Sequence, residues 1–461
     1  MVEARPRADP ARPSGARSRF GRMLPGLAPY QAPRRLVDEL ARRMREDGGD
    51  LDHPDLPAGY TYLGQLVNHD LSFDPVSSLR RRNDPAQVED FRTPRFDLDM
   101  VYGGGPDDMP YLYAQGRRSR GELLLVGDSR AQFGVRFAAR DLPRNAEGRA
   151  LIGDPRNDEN AILAQLHLAF LRFHNRVVGE LREGGHAAHW SGADGELFGE
   201  AQRIVRWHHQ WVVVRDFLPR VLPAGLVEGL LTRGRGRLAF DRAPFMPAEF
   251  AAGAFRFGHT LVRPSYQVNA RAGKVRLFAT SPDPLDAGHL GGFRPLPAGL
   301  VVDWSRFLEL DPAAPPQPAR RLDTRLAAPL TRLPAGVGPP GTASRSLAWL
   351  NLTRGNAMGL PSGQAVAKAL DAPPVPAAAL GLAGAPAPLW YYVLTEAATL
   401  GGGRRLGPAG ATIVAETITA LLRADPDSFV HATPPWSPFL GPRPGRFTLA
   451  DLVAYATGDS G

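Results

Sequence analysis

The residues best suited to chemistry by type and spacing lie in residues 61–75, with the sequence TYLGQLVNHDLSFDP. The stretch predicts a helix over residues 60–70, on which Gln65 and His69, four positions apart, share one face. Asp70 is turned about 100° away from His69. An imidazole can move protons near neutral pH, and a carboxylate can bind a cation. We therefore predict a proton shuttle beside a cation ligand, with a merely hydrogen-bonded pair as the alternative.

Oxygen-bearing side chains also gather in residues 93–105, TPRFDLDMVYGGG. Thr93, Asp97 and Asp99 lie two to four positions apart, and hard oxygen ligands packed this closely suit Ca²⁺. The loop is not an EF-hand, because Val101 stands where a third acid is expected and the bidentate Glu is missing. An Asx-rich turn before a short strand is the alternative for this loop.

A cation and an acid stand at the start of a third candidate segment. In GDPRNDENAILAQLHLAFLRFHNRVVGEL, Asp158 can cap a helix that runs to about residue 182. Arg156 and Glu159 lie at its start, about one turn apart. The pattern predicts that both side chains are held at one end of a long helix.

Two later segments pair an arginine with a histidine or an amide. FMPAEFAAGAFRFGHTLVRPSY predicts a helix ended by Pro264, with Arg256 and His259 three apart on one face. In LNLTRGNAMGLPSGQ, Asn351 and Arg354 have the same spacing. A histidine on such a helix can be a ligand or a packed core residue, and spacing alone leaves both open.

Composition places the chain among ordinary globular proteins. It has 461 residues, of which 43% are hydrophobic and 22% charged, and no apolar run is long enough to span a bilayer. The absence of cysteine excludes disulfides, thiolate catalysis, cysteine-ligated zinc and iron–sulfur clusters. The arginine-rich N-terminus has no apolar segment typical of a signal peptide, so we expect a cytoplasmic protein, with secretion left open.

The net charge of +8 does not indicate a nucleic-acid partner. Lys274 and Lys368 are the only lysines, and the arginines are spread along the chain among acids. A nucleic-acid-binding protein would show a basic block or stripe. We therefore predict no nucleic-acid partner and no membrane span.

The order of segments predicts a mainly α protein. Long helices dominate, strands are few and short, and no repeat is present. Residues 265–340 are mostly loop, and the tail from Ala432 is mostly coil. Residues 1–30 are rich in Arg, Pro, Gly and Ala, which is typical of an extended or mobile arm. We predict this arm followed by one large domain over residues 31–461.

The candidate segments, taken in order, resemble the animal-type haem peroxidase superfamily of myeloperoxidase and lactoperoxidase, including its bacterial branch. GQLVNHD resembles the distal-histidine helix, RTPRFDLDMVYG the calcium loop, and GDPRNDE with HLAFLRFHNR the distal-arginine segment. FRFGHTLVRP resembles the proximal-histidine helix, and LNLTRGNAMGLPSGQ the segment that supports this histidine. The likeness spans about residues 20–425 and implies a single helical haem-peroxidase domain.

The resemblance implies haem b as cofactor. His259 corresponds to the iron ligand, and Asn351 to the partner of its other ring nitrogen. Arg256 and Arg354 correspond to cationic positions near the haem propionates.

On the open face of the haem, the resemblance assigns His69 to take a proton from H2O2 and return it to the leaving oxygen. Arg156 would stabilise the charge that develops as the O–O bond breaks, and Gln65 would lie beside water or a halide. The resemblance also implies one Ca²⁺, bound by Asp70, Thr93, the Arg95 carbonyl, Asp97 and Asp99.

Two departures from the family bear on the haem linkage. Asn68 stands where the family often has an ester-forming Asp, and Asn160 where myeloperoxidase has a methionine bonded to the haem. Glu159 matches the second ester position. We therefore predict at most one covalent link, through Glu159, and weak activation towards chloride.

The resemblance implies a peroxidase that reduces H2O2 through an oxidised haem and then oxidises an organic donor, a halide or a pseudohalide. A haem fatty-acid dioxygenase of the same superfamily is the first alternative, but it needs a tyrosine three residues before the proximal histidine, where Arg256 stands. The second is a non-catalytic haem- or calcium-binding protein. Such a protein would have lost His69 or Arg156, and both are present.

Overall fold

The computed structural model of the chain describes residues 18–46, 51–74, 78–79, 82–115, 121–127, 140–186, 197–234, 236–238, 240, 243–279, 286, 288–334 and 344–458. Helices dominate these ranges, and their strands are two to six residues long. The prediction of a mainly α fold with few short strands and long loops is confirmed. Of the helices described, none is both long and apolar enough to cross a bilayer.

The α-helices of these ranges are α1 (Arg34–Arg43), α2 (Gly59–Leu71), α3 (Asp99–Tyr102), α4 (Ala161–Arg182), α5 (Leu197–Val212), α6 (Leu218–Val221), α7 (Leu226–Arg233), α8 (Leu347–Ala357), α9 (Gly363–Ala369), α10 (Ala377–Leu380), α11 (Leu389–Thr399), α12 (Pro408–Ala424) and α13 (Leu449–Thr457). The site also uses three irregular helical segments, at Pro155–Asp158, Glu249–Gly253 and Ala254–Leu261.

The described strands form three small sheets that join distant parts of the chain. They are β1 (Ser18–Gly21), β2 (Asp52–Pro57), β3 (Glu89–Asp90), β4 (Met246–Pro247), β5 (Ser265–Gln267), β6 (Lys274–Arg276) and β7 (Pro318–Arg320). Strand β1 lies between β3, which is antiparallel to it, and β4, which is parallel. Strand β2 pairs with β7, and β5 with β6, both antiparallel.

Helix α4 is the centre of the core. Ile162, Leu166, Phe170, Phe173 and Val177 form its buried stripe, as the helical spacing predicts. The helix packs against α2, α5 and α13. Because α4 is covered on several sides, it forms a fixed base for the residues at its N-terminus.

The start of α4 differs from the prediction. Asn160, not Asp158, caps the helix, and its Oδ1 accepts from the Leu163 N–H at 2.9 Å. Asp158 ends the short 3₁₀ segment before it and binds the Arg144 guanidinium at 2.7 and 2.8 Å. A guanidinium offers a carboxylate a stronger, charge-assisted pair of bonds than a capping N–H does, which explains the exchange of roles.

Helix α2 lies between α4 and the segment Ala254–Leu261. Its start is fixed by Gly59, whose N–H donates to the Phe307 carbonyl at 2.9 Å. A Cβ at this position would stand 2.8 Å from the same oxygen, so only glycine allows the two backbone segments to come this close. The predicted helix over residues 60–70 is therefore present, one residue longer at each end.

The segment predicted as one regular helix up to Pro264 is irregular instead. It forms a π-helix at Glu249–Gly253 and a 3₁₀-helix at Ala254–Leu261. The two pieces meet at Gly253, whose φ of −120° and ψ of −99° are not helical. A Cβ on this residue would stand 3.0 Å from the side chain of Leu389 on α11. Changes of helical pitch of this kind re-aim side chains at functional sites.

Two further predictions differ from the structure. The loop after Thr93 leads into helix α3 rather than a strand, with Leu98 in the left-handed region at φ 58°. The tail after Ala432 was predicted to be mostly coil, yet it contains α13, which packs on α4. A capping box of Thr448 and Asp451 starts this helix.

Part of the predicted N-terminal arm lies against the domain. Residues 18–30 include β1, and the N–H groups of Met23 and Leu24 donate to the buried Glu249 carboxylate at 3.0 and 3.2 Å. These bonds hold the segment because an unpaired buried carboxylate would be costly. Residues 1–17 of the predicted arm lie outside the described residues.

Candidate active site

His69 lies near the C-terminal end of α2 and is buried. Its Nδ1 donates to Asn157 Oδ1 at 2.7 Å, while the Asn157 amide nitrogen donates to His167 Nδ1 at 3.0 Å. This tautomer leaves the lone pair on Nε2 of His69. The pKa of His69 is lowered to about 3, mainly by burial and then by the charge of Arg156. His69 is therefore a neutral base with a fixed ring orientation.

Arg156 is held beside His69 by a buried carboxylate. Its Nη2 donates to Asp154 Oδ2 at 2.7 Å and to the His69 carbonyl at 3.1 Å. Its guanidinium also lies 4.3 Å from the centre of the Phe73 ring. These contacts fix a positive charge next to the imidazole, as the resemblance implies.

Gln65 and Glu159 are in direct contact, with the Gln65 amide donating to Glu159 Oε1. Burial raises the pKa of Glu159 to about 7. Both residues lie on the same side of the site as His69, since Gln65 is one helical turn away on α2. The structure thus brings Gln65, His69, Arg156 and Glu159 together.

His259 forms the opposite side of the site. Asn351 on α8 lies 2.8 Å from His259 Nδ1, as predicted, but it presents its amide nitrogen. Its Oδ1 accepts from Arg256 Nη1 at 2.6 Å. This differs from the acceptor role expected for Asn351, because Arg256 has only donors and takes the oxygen.

The two sides face a common space. Gln65, Glu159, Arg256 and His259 lie well below the surface, yet each keeps part of its side chain uncovered by protein. The pKa of His259 is lowered to about 3, first by burial, then by Arg256, and also by the charge of His69. The charge of one imidazole thus affects the pKa of the other, and we call the partly uncovered space around these side chains the gap.

Positive charge accumulates at the rim of this gap. Burial, Arg354 and Arg156 lower the pKa of Arg256 to about 9, although Asp74 raises it. Arg354 pairs with Asp74 at 3.0 Å. Within the described ranges, Arg256 is bonded to the Ala251 carbonyl and Asn351 but to no carboxylate. A buried arginine without an acid is suited to an anionic ligand.

A cluster of acids includes Asp70, the residue that follows His69 on α2. Asp70, Asp97 and Asp99 each offer an oxygen within 4.8 Å of the others. Both oxygens of Asp70 are buried and receive no hydrogen bond from the part of the chain that the structure describes. Burial and then Asp97 raise the pKa of Asp70 well above its usual value, and the same causes raise that of Asp99 to about 8. A bound cation would relieve this repulsion.

Thr93 joins this cluster, whereas the Arg95 side chain points elsewhere. Thr93 Oγ1 donates to Asp97 Oδ2 at 2.7 Å, and Arg95 pairs with Asp425 at 3.2 Å. The Arg95 side chain is thus engaged elsewhere, and a role for its carbonyl stays a prediction. The buried ring of His209, which is not among the predicted ligands, lies 3.7 Å from Asp70. No spacing in the sequence links these two residues.

The fold and the site can be compared with known proteins. A family model described as animal haem peroxidase matches residues 72–375, about two thirds of the chain. The chain belongs to the animal haem peroxidase family. Mouse eosinophil peroxidase is 35% identical over 159 residues, which is 33% of this chain and 21% of that protein. Pig thyroid peroxidase is 30% identical over 299 residues, or 60% of this chain and 30% of that protein.

Solved structures support the same fold. Peroxidase A from Dictyostelium discoideum has a TM-score of 0.58 at 15% identity, covering 89% of this chain and 88% of that one. Fatty acid alpha-dioxygenase from Arabidopsis thaliana also has a TM-score of 0.58, at 14% identity, covering 89% of this chain and 72% of that one. The chain spans less than a third of the length of the two mammalian peroxidases.

The residues present fit the haem that the family implies. Two imidazoles lie beside the gap, and Arg256 has no acid as partner among the described residues. The acid cluster likewise fits a hard cation, because no described group donates to the buried carboxylate of Asp70. Asn68 and Asn160 supply neither a carboxylate nor sulfur, and the Oδ1 of Asn160 is used for the cap of α4.

Proposed function

We propose that this chain is a haem-dependent peroxidase that reduces H2O2 and oxidises a small organic donor, a halide or a pseudohalide. The observation that carries the proposal is the pair His69 and His259, facing one gap from different elements with Arg156 beside His69. Bound haem b would supply an iron centre that accepts electrons from the donor after peroxide has oxidised it.

The distal residues would handle the proton. His69 Nε2 accepts a proton from H2O2 and donates it to the leaving oxygen, because Asn157 holds Nδ1 and burial keeps the ring neutral. Arg156 places a fixed positive charge next to the oxygen that becomes negative. Gln65 would position water or a halide beside them.

The proximal residues would hold the cofactor. His259 would bind iron through Nε2, and Arg256 and Arg354 would bind the propionates. A propionate at Arg256 would compete for the guanidinium that now holds Asn351 Oδ1. The freed oxygen could then accept from His259 Nδ1, which would raise the basicity of the ligand.

The acid cluster would hold one Ca²⁺ through Asp70, Thr93, the Arg95 carbonyl, Asp97 and Asp99. Its position next to His69 suggests a structural purpose. Because Asp70 and His69 are consecutive on α2, an ion bound to Asp70 would fix the end of the helix that aims the imidazole.

The haem would carry at most one ester link, through Glu159. Fewer links leave the haem less distorted than in myeloperoxidase, so its reduction potential should be lower. We therefore propose iodide, thiocyanate or phenols as donors in preference to chloride.

Absorption spectroscopy and donor oxidation test the function. We expect a haem Soret band that shifts on addition of H2O2, and oxidation of iodide or a phenol that requires H2O2. His259→Ala should abolish the native spectrum or greatly weaken haem retention. If the protein instead takes up oxygen with linoleate and does not turn over peroxide, it is a fatty-acid dioxygenase. If it binds haem but its absorption spectrum does not change on addition of H2O2, it is a binding protein.

A further inference from the structure

Arg92 connects the acid cluster with the distal arginine. Its Nη1 lies 3.3 Å from Asp99 Oδ1, and its Nη2 donates to Asp154 Oδ2 at 2.6 Å. The Arg92 side chain is only 10% exposed and that of Asp154 is fully buried. Water therefore screens these contacts weakly, and the guanidinium is shared between two acids.

Asp154 is also the main anchor of Arg156. Its two oxygens accept from Arg156 Nε at 3.1 Å each, and Oδ1 accepts from the Arg156 N–H at 2.9 Å. A continuous row of four ionisable side chains thus runs from the cation cluster to the active site. In order, they are Asp99, Arg92, Asp154 and Arg156.

We propose that Arg92 is a positioning residue that couples cation binding at Asp70, Asp97 and Asp99 to the hold of Asp154 on Arg156. The inference rests on the proposed function for the role of Arg156, but the coupling itself does not need peroxide chemistry. Arg92 would thus do more than neutralise the buried acids around it.

The direction of the coupling follows from charge. A cation bound to Asp99 competes with Arg92 for the same carboxylate and repels its guanidinium. Arg92 then pairs more fully with Asp154. Since Asp154 has a limited number of lone pairs, its hold on Arg156 weakens. Arg156 becomes freer to bind an anion in the active site when the cluster is occupied.

This route is separate from the backbone link between His69 and Asp70. It passes through side chains alone, so it can be removed without changing helix α2. Coupling between two sites is reciprocal, and a change at Asp154 must therefore alter the affinity of the cluster for its ion.

Calcium titration calorimetry of the haem-loaded protein tests the coupling. Asp154→Asn should weaken calcium binding roughly fivefold or more, because the released Arg92 then competes fully at Asp99. In the Arg92→Gln background the same change should cost at most about twofold, the direct Coulombic effect of Asp154 on the ion. An equal or larger loss in that background would overturn the proposal, as would a wild-type protein that binds no calcium.

Fluoride binding to the ferric haem, followed by absorbance, reports on Arg156. Calcium should raise fluoride affinity roughly fivefold in the wild-type protein and at most about twofold in Arg92→Gln. Arg220→Gln is the matched control, because Arg220 bridges Asp216 and Glu309 at 2.9 and 2.7 Å. In the Arg220→Gln protein, calcium should still raise fluoride affinity by the full amount. If calcium no longer raised fluoride affinity in this control, a specific role for Arg92 would be contradicted.

Arg92→Lys keeps the test decisive if Arg92→Gln does not fold. Lysine retains the charge but cannot bond two acids with one planar fork, so both calcium effects should fall. Unchanged effects in a folded Arg92→Lys protein would refute the proposal. A protein that shows the coupling but no reaction with H2O2 would refute the proposed function and leave the role of Arg92 supported.

Discussion

At the scale of single residues, the site depends on which atom of each side chain is left available. His69 keeps Nε2 because Asn157 takes Nδ1, and Arg156 is placed by Asp154. Spacing in the sequence identified His69 and Arg156 as candidates. It did not identify Asn157 as the partner of His69, because that contact forms only where α2 meets the segment before α4. Asp154 lies two residues before Arg156 and caps the same 3₁₀ turn, so it is a local partner that the sequence could have indicated.

The first prediction concerns proton transfer by His69. His69→Ala should leave haem bound but slow the reaction with H2O2 by roughly 10²-fold or more, since the general base and acid is lost. Stopped-flow absorbance measures this step. His167→Ala is a control that disturbs Asn157 without removing the base. Unchanged kinetics in His69→Ala would show that the shuttle is another group.

The second prediction concerns pH. The pKa of His69 is lowered from 6.5 to about 3, so the ring stays neutral as the pH falls through 6.5. Protonation of His69 should therefore cause no loss of the peroxide reaction between pH 6.5 and pH 4. Rapid-mixing rates across this range provide the measurement. A rate that falls tenfold per pH unit below 6.5 would mean that His69 has an ordinary pKa.

The third prediction concerns covalent attachment through Glu159. After treatment with H2O2, part of the haem should stay bound in denaturing chromatography of the wild-type protein and none in Glu159→Gln. Mass spectrometry should find at most one link, because Asn68 offers an amide in place of a carboxylate. If the haem always dissociates from the wild-type protein, the predicted ester through Glu159 does not exist. If two covalent links are found, the argument from Asn68 is refuted.

At the scale of elements, regular pieces were easier to predict than irregular ones. Helix α2 was predicted to within one residue at each end. The segment that carries His259 was predicted as a regular helix and is π- and 3₁₀-helical, with the backbone of Gly253 outside the helical region where the two pieces meet. Hydrophobic periodicity shows that a segment is helical, but it does not distinguish these helix types.

The fourth prediction concerns the link between the acid cluster and α2. Asp97→Ala should lower the melting temperature and speed amide exchange near the end of α2, because a bound ion stabilises only the folded state. Chelation of calcium from the wild-type protein should have the same effect. Scanning calorimetry and hydrogen exchange provide the measurements. Metal analysis that finds no calcium in active protein would contradict the assignment.

At the scale of the whole molecule, the core depends on contacts between parts of the chain that are far apart in the sequence. Helix α13 covers α4, with Phe173 of α4 stacked on Phe447 and edge-on to Tyr455. The tail was predicted to be coil, although Thr448 and Asp451 carry the spacing of a capping box. That signal would have located the helix, whereas its docking site on α4 could not be read from the sequence.

The fifth prediction follows from this docking. Leu452 on α13 is fully buried, so Leu452→Ala should lower the free energy of unfolding by about 2–5 kcal/mol. Urea denaturation measures the loss. The half-exposed Ala454 on the same helix offers a control, since Ala454→Ser should change stability little. A Leu452→Ala protein of wild-type stability would show that α13 contributes little to the core.

The position of α2 between α4 and the His259 segment also limits how the chain can change its length. The Gly59 N–H donates to the Phe307 carbonyl, and just after the helix the Phe73 N–H donates to Asp90 Oδ1 at 2.8 Å, so both ends are bonded to other segments. Adding or deleting one residue between these points would rotate everything after it by about 100°. The proton shuttle would turn away from the gap and the cation ligand would leave its cluster. A one-residue insertion, which surface loops commonly tolerate, would here displace His69 from the active site and Asp70 from the acid cluster together.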